Sequence, residues 1–303
     1  MRVLITGGTN GMGKGAARAL AARPDVELII LGRSQDNGDA TLAELSAMGA
    51  AGRVSFVLCD LTRLRDVRVA ITELHDRHSS LDALFVNAGL GYRPERVETE
   101  DGLLEHFQVN YLSHFMLILG LLDLLEASDH GGRVVFNATD FGTSLDWDDL
   151  QMTRKWGYEA AVVQGMVAKR MLIHHLHDLH RREGGPDLSF FGFQVPKTVW
   201  SNQLAIIPAP MRIMATVMKW FGRFISIDAS GRMMVPLFVD GREQTLVRSG
   251  RLLTWKNGVF EDVDEASSDV LDPAQRQKLW EVSKNLCDDD GIREIAMRLE
   301  SGA

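Results

Sequence analysis

Cysteine is nearly absent. The two in 303 residues, Cys59 and Cys287, cannot build a disulfide framework, which fits a reducing compartment. Clustered positive charge is missing as well. The net charge is −8, and a nucleic-acid partner needs gathered cations to meet its phosphates. No apolar run of spanning length occurs either. The most apolar stretch, residues 204–227, is broken by Pro208, Pro210, Arg212, Lys219 and Arg223. A spanning helix of about 20 apolar residues is therefore not expected, and an interfacial helix is the weaker alternative. Tyrosine is scarce: Tyr92, Tyr111 and Tyr158 are the only three, and four residues beyond them stand Arg96, Phe115 and Val162. No tyrosine is followed by a lysine one helical turn later.

What remains is an ordinary globular composition, 45% hydrophobic and 24% charged, enough for a large core without metals or cross-links. Residues 2–6, 26–31, 54–58, 83–86, 133–137 and 188–195 read as strands, and 12–23, 37–48, 64–78, 102–127 and 151–182 as helices. This alternation implies parallel pairing with right-handed crossovers, and continuous apolar strands imply burial on both faces. The fold class is α/β, a doubly wound parallel sheet of Rossmann type, in a single domain over residues 1–303. Beyond residue 196 the alternation stops. Residues 198–235 are apolar, Met-rich and irregular, and are expected to form a substrate lid. A last strand at 250–253 and a helix at 273–286 follow, the helix opened by Asp272 as N-cap with Pro273 in its first turn. Asp288, Asp289 and Asp290 read as a solvated helix end before a short final helix. Residues 3–5 already read as strand, so no signal peptide is expected and the reading is cytoplasmic.

The first turn carries the sharpest signal. Thr6-Gly7-Gly8-Thr9-Asn10-Gly11-Met12-Gly13 closes a strand and opens a helix, the context that a dinucleotide-binding turn needs. Glycine lets the backbone approach a pyrophosphate, and the helix N-terminus adds unpaired N–H groups and a positive dipole end. Gly7, Gly11 and Gly13 are the main candidates, with Thr9, Asn10 and Met12 between them; a plain glycine-rich turn is the alternative. After the second strand come Leu31-Gly32-Arg33-Ser34, with no acid to hold ribose hydroxyls. Arg33 can pair with a 2′-phosphate, helped by Ser34 or Lys14. NADPH is favoured over NADH on this ground, against a merely solvated arginine.

The spacing Thr-Gly-x-x-x-Gly-x-Gly resembles that of the short-chain dehydrogenase/reductase family, and further matches stand in chain order. Asp60-Leu61 follows the third strand, where the resemblance implies a contact to adenine. Asn87-Ala88-Gly89 follows the fourth strand and matches the family's Asn-Ala-Gly. Asn110, within residues 108–115, looks like the family's helix Asn. Pro196 follows the sixth strand with Val199 just beyond, and Ser201 falls where the resemblance implies a carboxamide contact. Residues 278–283 look like the C-terminal helix of the retinol-dehydrogenase and protochlorophyllide-reductase branch. The likeness covers residues 1–201 well and the rest weakly.

In that family a tyrosine one turn before a lysine supplies the proton, and a serine polarises the carbonyl. Here residues 136–142 read Phe-Asn-Ala-Thr-Asp-Phe-Gly, which puts Thr139 at the serine position and keeps a hydroxyl. In Gly165-Met166-Val167-Ala168-Lys169 the lysine matches, and Gly165 stands where the tyrosine belongs. Tyr158 lies seven residues earlier, nearly two turns away on much the same face. Thr139, Asn110 and Lys169 form the expected catalytic set, with Lys169 placing the nicotinamide ribose more than moving protons. Three explanations for the missing acid compete. A ketone substrate could supply the hydrogen from a neighbouring phenol. Tyr158, Tyr92 or Asp140 could replace the tyrosine. Or the chain binds nucleotide without turnover, as a regulator or scaffold.

The lid segment holds Met211, Met214, Met218, Trp220, Phe221, Phe224, Met233 and Met234. These suit a flat apolar ligand, although the helical spacing 211, 214, 218, 221 fits ordinary core equally. A missing acid under an apolar lid is similar to the unusual ketoreductases of aromatic polyketide biosynthesis. That resemblance implies reduction of a ketone on a polycyclic aromatic, angucyclinone-like substrate, within antibiotic biosynthesis. Other signals are weaker. His174, His175, His177 and His180 lack a completing ligand set beyond Asp178, so no metal is expected. Asp146, Asp148 and Asp149 read as a solvated loop. The leucine-rich helix over residues 111–125 serves a buried core or a homodimer.

Overall fold

The computed structural model describes residues 1–181, 187–200, 214, 216, 220 and 223–301. The six expected strands form within one residue of their expected bounds: β1 (Arg2–Thr6), β2 (Glu27–Gly32), β3 (Val54–Leu58), β4 (Ala83–Val86), β5 (Arg133–Asn137) and β6 (Ser189–Gln194). They pair in parallel in the order β3-β2-β1-β4-β5-β6, as doubly wound sheets do. β7 (Thr198–Val199) and β8 (Phe224–Ile225) make a small separate parallel pair. β9 (Leu252–Lys256) then joins β6 in parallel, and β10 (Val259–Asp262) folds back antiparallel on β9. The turn between them is Asn257-Gly258, both at positive φ, the two-residue turn whose twist suits a hairpin. The expected strand at 250–253 thus starts two residues later, ends three later and gains an edge partner.

Helices α1 (Gly11–Ala21), α2 (Gln35–Leu45) and α3 (Leu64–Arg77) alternate with the first strands. The expected helix at 102–127 is instead broken. Glu105–Phe107, Gln108–Leu112 and Ser113–Gly120 run on as α4, with a wide π turn in the middle, and α5 (Leu122–Glu126) follows Leu121, which leaves helical geometry. The expected helix at 151–182 starts only at Tyr158, giving α6 (Tyr158–His180). Two local causes delay it. Met152 sits at φ +48, outside helical space. The Asp149 carboxylate accepts the amides of Thr153, Arg154 and Lys155 and the Thr153 hydroxyl, which folds this stretch into a capped loop. Asp149 is buried, contrary to the solvated reading. α7 (Ile227–Val239), α8 (Arg242–Arg248), α9 (Ser268–Leu271), α10 (Pro273–Cys287) and α11 (Asp290–Ser301) complete the chain. Asp272 caps α10 through the Ala274 amide at 2.8 Å. Asp289 is not a bare solvated acid: it accepts from Arg68 at 2.6 Å and from the Ile292 amide at 3.0 Å.

Side chains alternate across the strands and build two cores on one sheet. Leu4, Ile29, Val57, Leu84 and Val134 face α3, α4 and α6. Val3, Ile5, Leu28, Phe85 and Val135 face α1 and α7. α10 and α11 lie over α4 and α6: Trp280 meets Phe115 edge-on at 5.2 Å, and Tyr111 shares a 2.7 Å hydrogen bond with Ser283. The leucine-rich helix is therefore covered by the chain's own C-terminal helices. The lid expectation needs a correction at its C-terminal end. Met234 is buried in the second core and Met233 packs on it, because this stretch is α7 lying against α1. Phe224 meets Trp200 edge-on, and Met214 and Trp220 are exposed. Met211, Met218 and Phe221 lie outside the described residues. Among the described residues, no helix is long and apolar enough to cross a membrane.

Candidate active site

The site gathers at the C-terminal ends of the parallel strands, where open α/β sheets bind their ligands. β1 ends at Thr6 and α1 begins at Gly11. Gly7 sits at φ +68, which a side chain resists. A Cβ on Gly13 would stand 2.5 Å from both Gly7 O and Asn87 Nδ2, so the turn stays bare where α1 passes the end of β4. Asn10 caps α1 by accepting from the Gly11 amide at 2.7 Å; Thr9 is half-buried and Met12 buried. This cradle, which a single Cβ would fill, fits a pyrophosphate on a helix N-terminus.

At the end of β2, Arg33 is exposed and forms no ion pair with a described residue. Lys14 is not comparably free, being paired with Glu44 at 2.7 Å. Ser34 caps α2 through the Asn37 amide. Asp60 folds its own loop by accepting from Thr62 N at 3.0 Å and Thr62 Oγ1 at 2.9 Å, while Leu61 is buried. Pro196 is exposed beyond β6, Val199 is half-buried in β7, and Gly89 is exposed. Ser201 lies outside the described residues.

The loop after β4 is held from two sides. Asn87 Nδ2 donates to Thr6 O at 3.0 Å, and the Asn87 and Ala88 amides both donate to Thr6 Oγ1. Asn110 accepts from Leu90 N at 2.6 Å and donates to Leu90 O at 3.2 Å. Both ends of this amide are engaged and the residue is buried, so Asn110 braces the loop.

Lys169 is 1% exposed, with Nζ donating to Asn137 O at 3.4 Å. Burial pushes its ammonium down to about 8. Asn137 also reaches Asn87 Oδ1 at 3.5 Å, so Asn87, Asn137 and Lys169 form one chain from the ends of β4 and β5 to the middle of α6. Thr139 is half-buried two residues beyond Asn137; its neighbours are fixed by Ala138 N donating to Phe193 O and Asp140 N to Gln194 Oε1. Gly165 faces α4 so closely that a Cβ would lie 2.8 Å from Asn110 Cβ. The position expected for a tyrosine is therefore a close helix contact.

Of the three candidate replacements, Asp140 and Tyr158 are each engaged with other partners. Asp140 is tied into a buried cluster. It accepts from Arg170 Nη1 at 2.6 Å and from the Gly142 and Ala266 amides, and Arg170 also pairs with Glu265. Burial alone would raise its carboxyl, but the two amides and the guanidinium together pull it below its ordinary value, so it stays ionised. Tyr158 opens α6, donates to Glu159 Oε1 at 3.1 Å and meets Tyr92 edge-on at 4.9 Å; desolvation and Glu159 raise its phenol. Tyr111 is buried on the other side of α4, against Ser283.

The four clustered histidines point to separate partners. His174 approaches Glu265 at 3.6 Å, His175 stacks on Trp280, His177 bonds Ser249, and His180 stacks on Phe190. Sequence reasoning missed Asn137, Gln194, Arg170 and His114. His114 stands one turn after Asn110, but its partner Thr6 lies 108 residues away and nothing local marks the pair.

Residues 1–144 match the family model described as short chain dehydrogenase. Human polyprenol dehydrogenase is 34% identical over 186 residues, covering 60% of this chain and 56% of that protein. A protein of Streptomyces sp. (strain C5) named "Putative daunorubicin C-13 ketoreductase DnrU" is 34% identical over 154 residues, covering 50% of this chain and 51% of its own. The chain thus spans a little over half the length of the first curated relatives it matches. Among solved structures, the Pseudomonas aeruginosa RhlG/NADP complex shares the fold with a TM-score of 0.64 at 21% identity, covering 85% of this chain and 95% of that one. The 3-oxoacyl-[acyl-carrier protein] reductase of Brucella melitensis, in complex with NAD, shares it with a TM-score of 0.62 at 20% identity, covering 84% and 94%. Over residues 1–144, a little under half of its length, the chain is similar to short-chain dehydrogenases, and its sheet order and bare glycine turn are those of the fold it shares with the solved structures.

Proposed function

We propose that the chain is an NADPH-dependent ketoreductase acting on a ketone of a polycyclic aromatic, angucyclinone-like polyketide, without a tyrosine acid. The observation that carries this reading is Gly165 packed on Asn110 beside a buried Lys169 and a bare cofactor turn. The site keeps what holds a dinucleotide and lacks a phenol at the lysine. Gly7, Gly11 and Gly13 would hold the pyrophosphate and Arg33 the 2′-phosphate. Asn87 and Lys169 would hold the nicotinamide end, the lysine as a ribose ligand. When bound, the dinucleotide supplies the hydride. Thr139 offers a hydroxyl to the carbonyl oxygen. The hydrogen for the developing alkoxide comes from the substrate, where a phenol next to the ketone donates it and recovers one from water. Likeness to a named ketoreductase of an aromatic polyketide supports this substrate class; the polyprenol dehydrogenase relatives keep long-chain alcohols in play as a comparison.

Fluorescence titration with NADPH and NADH tests the cofactor, and NADPH oxidation over a panel of aromatic ketones tests the reaction. NADPH should bind more tightly, and Arg33→Ala should remove most of that preference. Equal binding of both cofactors by the unaltered protein contradicts the role of Arg33. Tight NADPH binding with no oxidation on any ketone supports the non-catalytic regulator instead.

A further inference from the structure

We propose that His114 is a positioning residue for the cofactor wall, acting through the Thr6 hydroxyl. The proposal rests on the dinucleotide reading of the site but not on any ketone. Thr6 Oγ1 has four polar neighbours. The amides of Asn87 and Ala88 donate to it at 2.9 and 3.0 Å; Phe85 O lies at 3.1 Å and His114 Nε2 at 3.0 Å. A hydroxyl has one hydrogen and two lone pairs. The two amides fill the lone pairs and leave one hydrogen, which Phe85 O and a bare ring Nε2 both stand to accept. The tautomer assigned on this count carries its hydrogen on Nδ1, with Nε2 bare. Nδ1 is buried and closes no full hydrogen bond. Burial, with Lys169 nearby, holds the ring neutral.

His114 is buried and touches neither solvent nor a substrate. An apolar residue would fill the same space without burying an incompletely satisfied nitrogen, which is costly. What the ring adds is a second acceptor beside Phe85 O, so that the Thr6 hydrogen stays on that side and both lone pairs stay aimed at the loop after β4. Asn110, one turn earlier on α4, clamps Leu90 of the same loop. The two residues, four apart on α4, hold the wall that Asn87 lends to the cofactor turn: Asn110 directly, His114 through Thr6.

A double-mutant cycle on NADPH binding tests this. H114L should raise the Kd for NADPH about fivefold, the worth of one hydrogen bond, while H114Q, which can keep an acceptor, stays within about twofold. In a T6V background H114L should add less than about twofold. A Kd unchanged by H114L, or an equal loss with and without Thr6, overturns the proposal and leaves His114 as packing. Hydrogen exchange gives a second reading that needs no cofactor. In H114N, shorter but still polar, the Asn87 and Ala88 amides should exchange about tenfold faster; unchanged exchange overturns the proposal. Wild-type protein that binds neither NADPH nor NADH ends the dinucleotide reading itself, and the exchange result distinguishes that failure from a failure of His114.

Discussion

Lys169 holds an ammonium in a place that resists charge, with one long hydrogen bond to Asn137. Its value falls from 10.5 to about 8 because of desolvation. Between those values the unfolded chain keeps a proton that the native state has released. Stability therefore rises as pH climbs through that window, and the charged form is the costly one below it. A shift of this size corresponds to about 3 kcal/mol. Lys169→Met should thus melt higher than the unaltered protein at pH 7, with the gap closing toward pH 10.5, while NADPH binding weakens. A lower melting temperature at pH 7 would show that the ammonium is stabilised by something the structure does not reveal. At this scale the glycines, Asn87 and Lys169 were legible, because each sits inside a local spacing. His114 was not. Its partner Thr6 lies 108 residues away in sequence, and nothing local marks the pair.

Elements set how closely the two sides of the site approach. α6 and α4 meet at Gly165 and Asn110, and two effects compete if a methyl is added there. Alanine gains about 0.5–1 kcal/mol of helix propensity over glycine. Overlap with Asn110 Cβ in a packed interior costs about 1–3 kcal/mol. The overlap is near backbone, so it wins: Gly165→Ala should destabilise by about 1 kcal/mol in urea unfolding, and Gly165→Tyr should not create a working acid. A more stable G165A would mean that the helices part freely and that the missing tyrosine is a simple deletion. Strand positions were legible from apolar runs. The start of α6 was not, since it depends on the Asp149 cap and on Met152 at positive φ. The hairpin of β9 and β10 could have been found, because Asn257-Gly258 between apolar runs is a strong local signal.

The whole molecule is a sheet with a core on each face and its C-terminal helices folded over one of them. That burial traps histidines. His174 and His175 are pushed down to about 4, and His78, His106, His114 and His177 are also lowered, mainly by desolvation. Below about pH 6.5 the unfolded chain takes up protons that the native state refuses. The contribution of these rings is complete above that value and is lost as pH falls toward 4. Melting temperature should drop steeply between pH 7 and pH 4.5, and His175→Phe should flatten part of the drop. A flat profile over this range would contradict the buried, neutral assignment.

The central claim concerns where the proton comes from, and one comparison reaches it most directly. Two aromatic ketones would be used, alike except that one carries a free phenol beside the carbonyl and the other its methyl ether. NADPH oxidation would be followed in single turnover with protein in excess. The phenol-bearing ketone should react, and the ether should be slower by about a hundredfold or more, the usual worth of a general acid. Equal rates, with turnover abolished by Thr139→Ala or Tyr158→Phe in a folded protein, would place the acid on the polypeptide and contradict the account.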